Sequence, residues 1–399
     1  MQTRYALHVL VERFNKSPVG VLVPISGFDP RFGEDYEHWA FVPHPLPEEI
    51  ALGSRTWALA SEAMLSIGRL DQAGRQIPNP ALLRRPTLRR EAQSTSALEG
   101  TYAPLTEVLE VDPDDLPRRS PQLLEVLNYV RAAEHAYVAV ADRPLSLQLV
   151  LELHQLLVAG TRSDGRDAGK VRSHQVVIGA ASGRVRDARF VPPPPGPDLE
   201  AGLRAWVDWV NAPHPALPPV VAAALAHYQF ETLHPFNDGN GRIGRLAIVL
   251  HLMLSGALRE PLLTVSPWFE ARRSDYQDEL QRVSETGDWD RWVMFFATGL
   301  RDQADDTTRK IDELVAVHDR AKELCRTSNV RGTALDVAEG LIARPIITPT
   351  WVQRHYGVSY PAANNAVARL EQLGLLRETT GGTYGRVFAA DDVLRILER

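Results

Sequence analysis

Apolar residues recur at helical spacing through most of the chain. From about Pro47, the positions Ile50, Leu52, Trp57, Leu59, Met64, Leu65, Ile67 and Leu70 predict an amphipathic helix. A second is predicted over Leu88–Gly100, stopped by Gly100, the residue type favoured just past a helix end. Further helices are expected near 121–140 and 146–159, over Val221–Leu233, and again from Leu246. Gly287–Trp292 opens another amphipathic helix, and a long charged one is expected from about 301 to 325. Other stretches break the pattern. Residues 1–50, with Gly20, Gly27, Gly33 and a proline-rich end, read as an irregular arm anchored by Trp39 and Phe41. A turn is expected near Pro78–Pro86 and a loop over 103–120. Two β-prone runs, Gln175–Ile178 and Val185–Val191, flank a turn with Gly179 and Gly183, which predicts a hairpin. The following prolines exclude a central sheet position for it, so it reads as a flap with an edge open to another chain.

Residues 329–399 change character. Helices over Thr333–Ala343, Thr348–Tyr356 and Tyr360–Leu373 precede two strand-like runs, Leu375–Thr379 and Gly385–Ala389, around the Gly381-Gly382 turn. Three helices and a β-wing describe a winged helix-turn-helix. Its recognition helix carries Asn364, Asn365 and Arg369, so DNA contact is weighed against a docking or dimerisation role.

Composition narrows the class. The chain has 399 residues and a net charge of −6, which argues against non-specific nucleic-acid binding by the whole molecule. Its single cysteine, Cys325, excludes an internal disulfide and multi-cysteine zinc sites. Apolar runs such as Val220–Ala226 are too short to span a membrane, and the N-terminus does not resemble a signal peptide. A cytoplasmic enzyme or regulator is expected.

The chemistry concentrates in residues 234–245, His-Pro-Phe-Asn-Asp-Gly-Asn-Gly-Arg-Ile-Gly-Arg. Pro235 disfavours helix at His234, so the preceding helix should end there, with the imidazole facing the loop. Gly239 and Gly241 permit a loop whose N–H groups converge and lead into a helix N-terminus, an anion site. Arg242 and Arg245 share a face of that helix's first turn, where cations are misplaced unless an anion lies between them. A polyphosphate resolves the conflict, and Asp238 supplies a hard oxygen for its Mg²⁺. Glu99 poses the mirror problem, because a carboxylate in a last helical turn opposes the dipole and is better placed near a cation. His227, His234 and His251 lack the spacing of a zinc hydrolase, and His227 reads as a core histidine.

Residues 234–245 resemble the signature of the Fic (Fic/Doc) family at every defined position. Thr95-Ser-Ala-Leu-Glu-Gly100 resembles that family's inhibitory motif, and the hairpin 175–191 resembles its flap. The resemblance implies transfer of AMP from ATP to a hydroxyl side chain of a target protein. His234 would be the general base, and an unperturbed histidine titrates at about 6.5, suited to that task. Asp238 would hold Mg²⁺. Asn237, Asp238, Gly239, Asn240, Gly241, Arg242, Gly244 and Arg245 would line the nucleotide phosphates. Ala188, Arg189, Phe190 and Val191 of the flap would cover the nucleotide and hold the target backbone by strand addition. Tyr276 and Gln277 fall where the family lines its adenosine pocket, although a second aromatic often stands at the position of Gln277. Thr95, Glu99 and Gly100 would form the inhibitory element, with Glu99 paired to Arg245. Retention of Gly239 and Gly241 favours AMP transfer, since the phosphorylating Doc branch has Lys where Gly241 stands. Glu99 would also suit water activation for the reverse removal of AMP.

The expected architecture is mainly α, a Fic-type helical core with a β-hairpin flap plus a C-terminal winged helix-turn-helix. Its expected segments are an N-terminal region to 105 with the inhibitory helix, a core over 106–300, a linking helix over 301–328, and the winged module over 329–399. The expected partners are ATP, Mg²⁺, a target protein, a second copy of the chain, and DNA through residues 329–399. A nucleotide-sensing transcriptional regulator is the alternative reading.

Overall fold

Helix dominates the chain, as the apolar spacing requires. The computed structural model describes residues 12–29, 31–75, 79–111, 120–180, 182–382 and 385–399. Strands β1 (Gly20–Asp29) and β2 (Glu34–Pro43) precede helices α1 (Ser54–Ala73), α2 (Ala81–Leu98), α3 (Leu105–Glu110), α4 (Pro121–Asp142) and α5 (Leu147–Val158). Next come α6 (Pro197–Asn211), α7 (Pro219–Leu233), α8 (Asn240–Leu254), α9 (Ser266–Glu270), α10 (Arg273–Thr286) and α11 (Trp289–Thr327). The C-terminal elements are α12 (Thr333–Gly340), β3 (Ile346–Ile347), α13 (Pro349–Tyr356), α14 (Tyr360–Gln372), β4 (Arg377–Glu378), β5 (Phe388–Ala389) and α15 (Asp391–Leu397).

Several expectations need correction. The N-terminal arm is not irregular: β1 and β2 pair antiparallel from Gly20↔Pro43 to Asp29↔Glu34. Pro24 and the glycines masked the signal, but a two-stranded ribbon has edges that tolerate proline. The turn expected up to Pro86 is helix from Ala81 onward, with Pro86 buried inside α2. Packing there outweighs proline's missing N–H. The loop expected over 103–120 begins with α3, which starts directly after Pro104; residues 112–119 of that expectation lie outside the described ones. The two helices expected after Gly287 are one continuous α11 of 39 residues.

The chain divides into two units. One holds the described residues within 1–65, 131–258 and 268–302. Its centre is α7, buried on nearly every face from Val220 to Phe230. That matches its all-round apolar sequence. Trp206 and Trp292 each donate an indole N–H to an α7 carbonyl, of Ala226 at 2.8 Å and of Ala224 at 2.9 Å. Burial of an indole demands such a partner. Gly244 lets α8 approach α7, because a Cβ there would lie 2.4 Å from Oε1 of Glu231 and 3.1 Å from Cδ1 of Phe230.

The other unit holds the described residues within 66–130, 259–267 and 303–399. In it, the buried carboxylate of Glu91 on α2 accepts the N–H groups of Val265 and Ser266 at 2.8 and 3.0 Å. It also accepts the Ser266 hydroxyl, so one buried charge secures α2 by three hydrogen bonds. Near the C-terminus, Thr348 and Ser359 cap α13 and α14 through Trp351 N–H and Ala362 N–H. Gly357, at φ 64°, makes the left-handed turn between those helices. The strands are shorter than expected, and β3 joins them in a three-stranded antiparallel sheet of order β3-β5-β4.

Candidate active site

Helix α7 ends where Pro235 requires it to. His234 keeps its N–H on the Phe230 carbonyl at 3.0 Å but turns left-handed, at φ 48° and ψ 58°. That conformation costs a residue with a Cβ about 1–2 kcal/mol, so surrounding contacts must enforce it. Nδ1 of His234 lies 3.2 Å from the Glu231 carbonyl oxygen. A carbonyl only accepts, so in the neutral ring Nδ1 carries the proton and Nε2 holds the lone pair.

The loop after His234 is closed by Asn240. Its side-chain oxygen accepts Phe236 N–H and its amide donates to the Phe236 carbonyl, both at 2.8 Å. Gly239, just before Asn240, has φ 79°, and a Cβ there would meet Cδ2 of Leu157 at 2.7 Å. Two constraints therefore select glycine at one position. The first N–H groups of α8 have no intrahelical acceptors, which makes this end an anion site.

Asp238 sits beside that helix start. Its Oδ2 accepts the Ser163 hydroxyl and its Oδ1 accepts Gly239 N–H, each at 2.6 Å, while Arg242 lies 3.3 Å from Oδ1. Burial raises the carboxyl's pKa, but the Arg242 charge and the two hydrogen bonds together outweigh it and hold the group below its ordinary value. The result is an ionised oxygen ligand with lone pairs to spare, the donor a phosphate-bound Mg²⁺ takes.

The other expected residues divide. Arg242 and Arg245 are buried on successive turns of α8. Asn237 is exposed, and its amide donates to Asp167 at 3.0 Å. Tyr276 is buried, and its hydroxyl lies 2.6 Å from Nε2 of His227, whose Nδ1 faces the Gly244 carbonyl at 3.1 Å. Burial, reinforced by the Arg245 charge, pushes His227 down to about 3, so it is a neutral core histidine as expected. The same hydrogen bond makes Tyr276 part of the aromatic core, stacked on Phe269 at 4.8 Å. Gln277 is exposed on α10. In the second unit, Thr95 is buried on α2, Glu99 is the C-cap, and Gly100 follows at φ 88°.

The flap differs from the expected hairpin. Its two runs share one bridge, Ile178↔Phe190, and residues 185–187 form a 3₁₀ turn. The reason is chemical: Pro192 has no N–H to extend the ladder. Instead the Gln175 amide donates to the carbonyls of both Val176 and Pro192 at 3.0 Å. Phe190 and Val191 are buried rather than presented. Phe190 packs against Phe14 and Phe41 with centroids 5.8 and 5.7 Å away, and the Val191 carbonyl accepts Phe41 N–H at 2.9 Å. Ala188 packs against the cluster of Ala40, Val185 and Val191. The β1–β2 ribbon thus occupies the flap edge at Val191 that was expected to be open. Arg189 points the other way, onto Asp278 and Gln281 of α10.

Three contributors went unforeseen. His154 stacks on Phe236 at 3.9 Å, accepts Gly169 N–H at Nδ1 and faces the Asp238 carbonyl with Nε2 at 3.2 Å. Burial drives its pKa to about 4. The signal was a lone polar residue on the apolar face Leu149, Val150, Leu153 and Leu157. Ser163 carried no signal beyond its loop. Arg172 was visible only as one cation before a β-prone run.

Comparison with known proteins finds likenesses in the first two thirds of the chain. Residues 144–252 match the Fic/DOC family, and residues 57–138 match the Fic/DOC family N-terminal region. The segments 57–138 and 144–252 are therefore similar to the two regions of Fic/DOC proteins. A protein adenylyltransferase Fic of Drosophila virilis is 31% identical over 206 residues, which are 51% of this chain and 38% of that protein. Protein adenylyltransferase fic-1 of Caenorhabditis briggsae is 38% identical over 113 residues, 28% of this chain and 20% of that protein. The chain therefore spans well under half the length of those relatives. A Fic family protein from Desulfovibrio desulfuricans G20 shares the fold, with a TM-score of 0.55 at 22% identity over 86% of this chain and 98% of that one.

Proposed function

We propose that this Fic protein transfers AMP from ATP to a Ser, Thr or Tyr hydroxyl of a target protein and to itself. One observation carries the reading. A histidine with its lone pair on Nε2 sits in the same short loop as an ionised Asp238 and the anion-binding start of α8. His234 Nε2 takes the proton of the target hydroxyl. That oxygen bonds to the α-phosphorus, and the bond from phosphorus to the bridging oxygen breaks to release diphosphate. Arg242 and the N–H groups at the start of α8 stabilise the phosphate charge, which with positioning supplies most of the acceleration. The Asp238 donor set fits Mg²⁺ held jointly with phosphates, and the ion, when bound, would neutralise the diphosphate.

Regulation follows the same reading. Glu99 is the proposed restraint on transfer, and its carboxylate would suit activation of water for reverse removal of AMP. The test of the chemistry is the labelled position. Incubation with ATP labelled at the α-phosphate marks protein, whereas ATP labelled at the γ-phosphate leaves it unmarked. Label from the γ-position instead would mean phosphate transfer.

A second role rests on the C-terminal elements. Capped helices α13 and α14 joined at Gly357, with a small antiparallel sheet, support a winged helix-turn-helix over residues 329–399. Asn365 and Arg369 are exposed on α14, although Arg369 donates to the Ser328 carbonyl at 3.1 Å. Salt-sensitive, sequence-specific DNA binding by the full chain is the measurement that decides this role.

A further inference from the structure

Arg172 has no part in the chemistry proposed above. Its side chain is 2% exposed, yet it reaches three separate backbone segments. Nε donates to the His234 carbonyl at 2.8 Å, one Nη to the His174 carbonyl at 3.2 Å, and the other Nη to the Pro193 carbonyl at 2.5 Å. Its own N–H donates to the Pro235 carbonyl at 2.9 Å. His174 immediately precedes the flap and Pro193 closely follows it, so one guanidinium ties both flap ends to the base.

We propose that Arg172 is the positioning residue that couples the flap to His234, through the shared fork between the carbonyls of His174, Pro193 and His234. The inference rests on the adenylyl-transfer reading for its consequence but not for its geometry. His234 is left-handed at φ 48°, a strained state for a residue with a Cβ. The bonds from Arg172 to the His234 and Pro235 carbonyls grip that strained peptide. The flap needs the same grip, because Pro192 and Pro193 cannot donate and its ladder has a single bridge. Only a planar fork with several fixed donors serves three carbonyls at once, so lysine is not an equivalent.

The test uses the full chain with Arg172→Met, which keeps bulk without donors, and Arg172→Lys, which keeps charge without the fork. Both are made in the Glu99→Gly background. Amide hydrogen exchange is followed by mass spectrometry, alongside ATP binding and α-phosphate transfer. The inference predicts faster exchange at 174–178, 188–191 and 234–238 together in both variants, while α7 and α8 keep their protection. It also predicts a transfer rate lower by about a hundredfold with ATP affinity nearly unchanged. Faster exchange in the flap segments alone or in 234–238 alone, uniform loosening that includes α7 and α8, or parental behaviour of Arg172→Lys would overturn it. If the Glu99→Gly parent transfers nothing, the proposed activity fails, and the exchange pattern still decides the coupling.

Discussion

The Ser163 hydroxyl donates to Oδ2 of Asp238 at 2.6 Å, from a loop 75 residues away in sequence. That bond fixes the carboxylate's rotation and helps keep it ionised against burial. Replacing Ser163 by alanine is expected to raise the Mg²⁺ concentration for half-maximal transfer by about tenfold, the usual scale for losing a residue that orients a metal ligand. A Mg²⁺ titration of the transfer rate measures it.

Asn240 works on the loop itself. Asn240→Ala leaves the buried N–H and C=O of Phe236 without their side-chain partners, at a cost of about 2–4 kcal/mol. Urea unfolding reports the loss as a lower midpoint. Asn240→Asp keeps one of the two bonds and is expected to fall between.

The flap is held on its outer side by rings. Phe190→Ala removes one member of the Phe14, Phe41 and Phe190 cluster, and a buried phenylalanine truncation costs about 3–5 kcal/mol. Much of that loss is local. Limited proteolysis is expected to cut within residues 182–191 in the variant and not in the parent, while circular dichroism shows the helices intact.

Buried histidines set the response to acid. Burial lowers His154 and His251 to about 4 and His227 to about 3, from an ordinary value of 6.5. Below 6.5 the unfolded chain binds protons that the folded one refuses. Stability is therefore complete above 6.5 and declines as pH falls toward 4, each histidine adding up to about 1.4 kcal/mol per pH unit. Urea unfolding at pH 7, 6 and 5 checks the slope, and His227→Gln is expected to flatten it.

Much of the site was legible because its logic is local. Pro235 after an apolar helix, glycines at 239 and 241, and arginines at 242 and 245 state a helix end, a tight loop and an anion-binding helix start. The structure then adds reasons that spacing cannot contain. Gly244 is needed against Glu231 and Phe230, and Asn240 acts through its side chain on Phe236 as well as through its N–H. What stayed hidden depends on distant partners. Arg172, His154 and Ser163 act on carbonyls and a carboxylate that lie far along the chain. The β1–β2 ribbon escaped notice because Pro24 and three glycines interrupt its alternation. Its bond to the flap at Val191 joins segments too far apart in the chain for a local pattern to state. Pro86 misled in the opposite sense, since α2 runs through it.

The central claim is that His234 removes a proton so that a hydroxyl attacks the α-phosphorus, restrained by Glu99. Purified wild type, Glu99→Gly and Glu99→Gly/His234→Ala are incubated with Mg²⁺ and ATP labelled at the α-phosphate, and protein-bound label is counted. The account predicts weak label in wild type, strong label in Glu99→Gly and none in the double variant. Equal label in wild type and Glu99→Gly contradicts the restraint, and label persisting without His234 contradicts the mechanism.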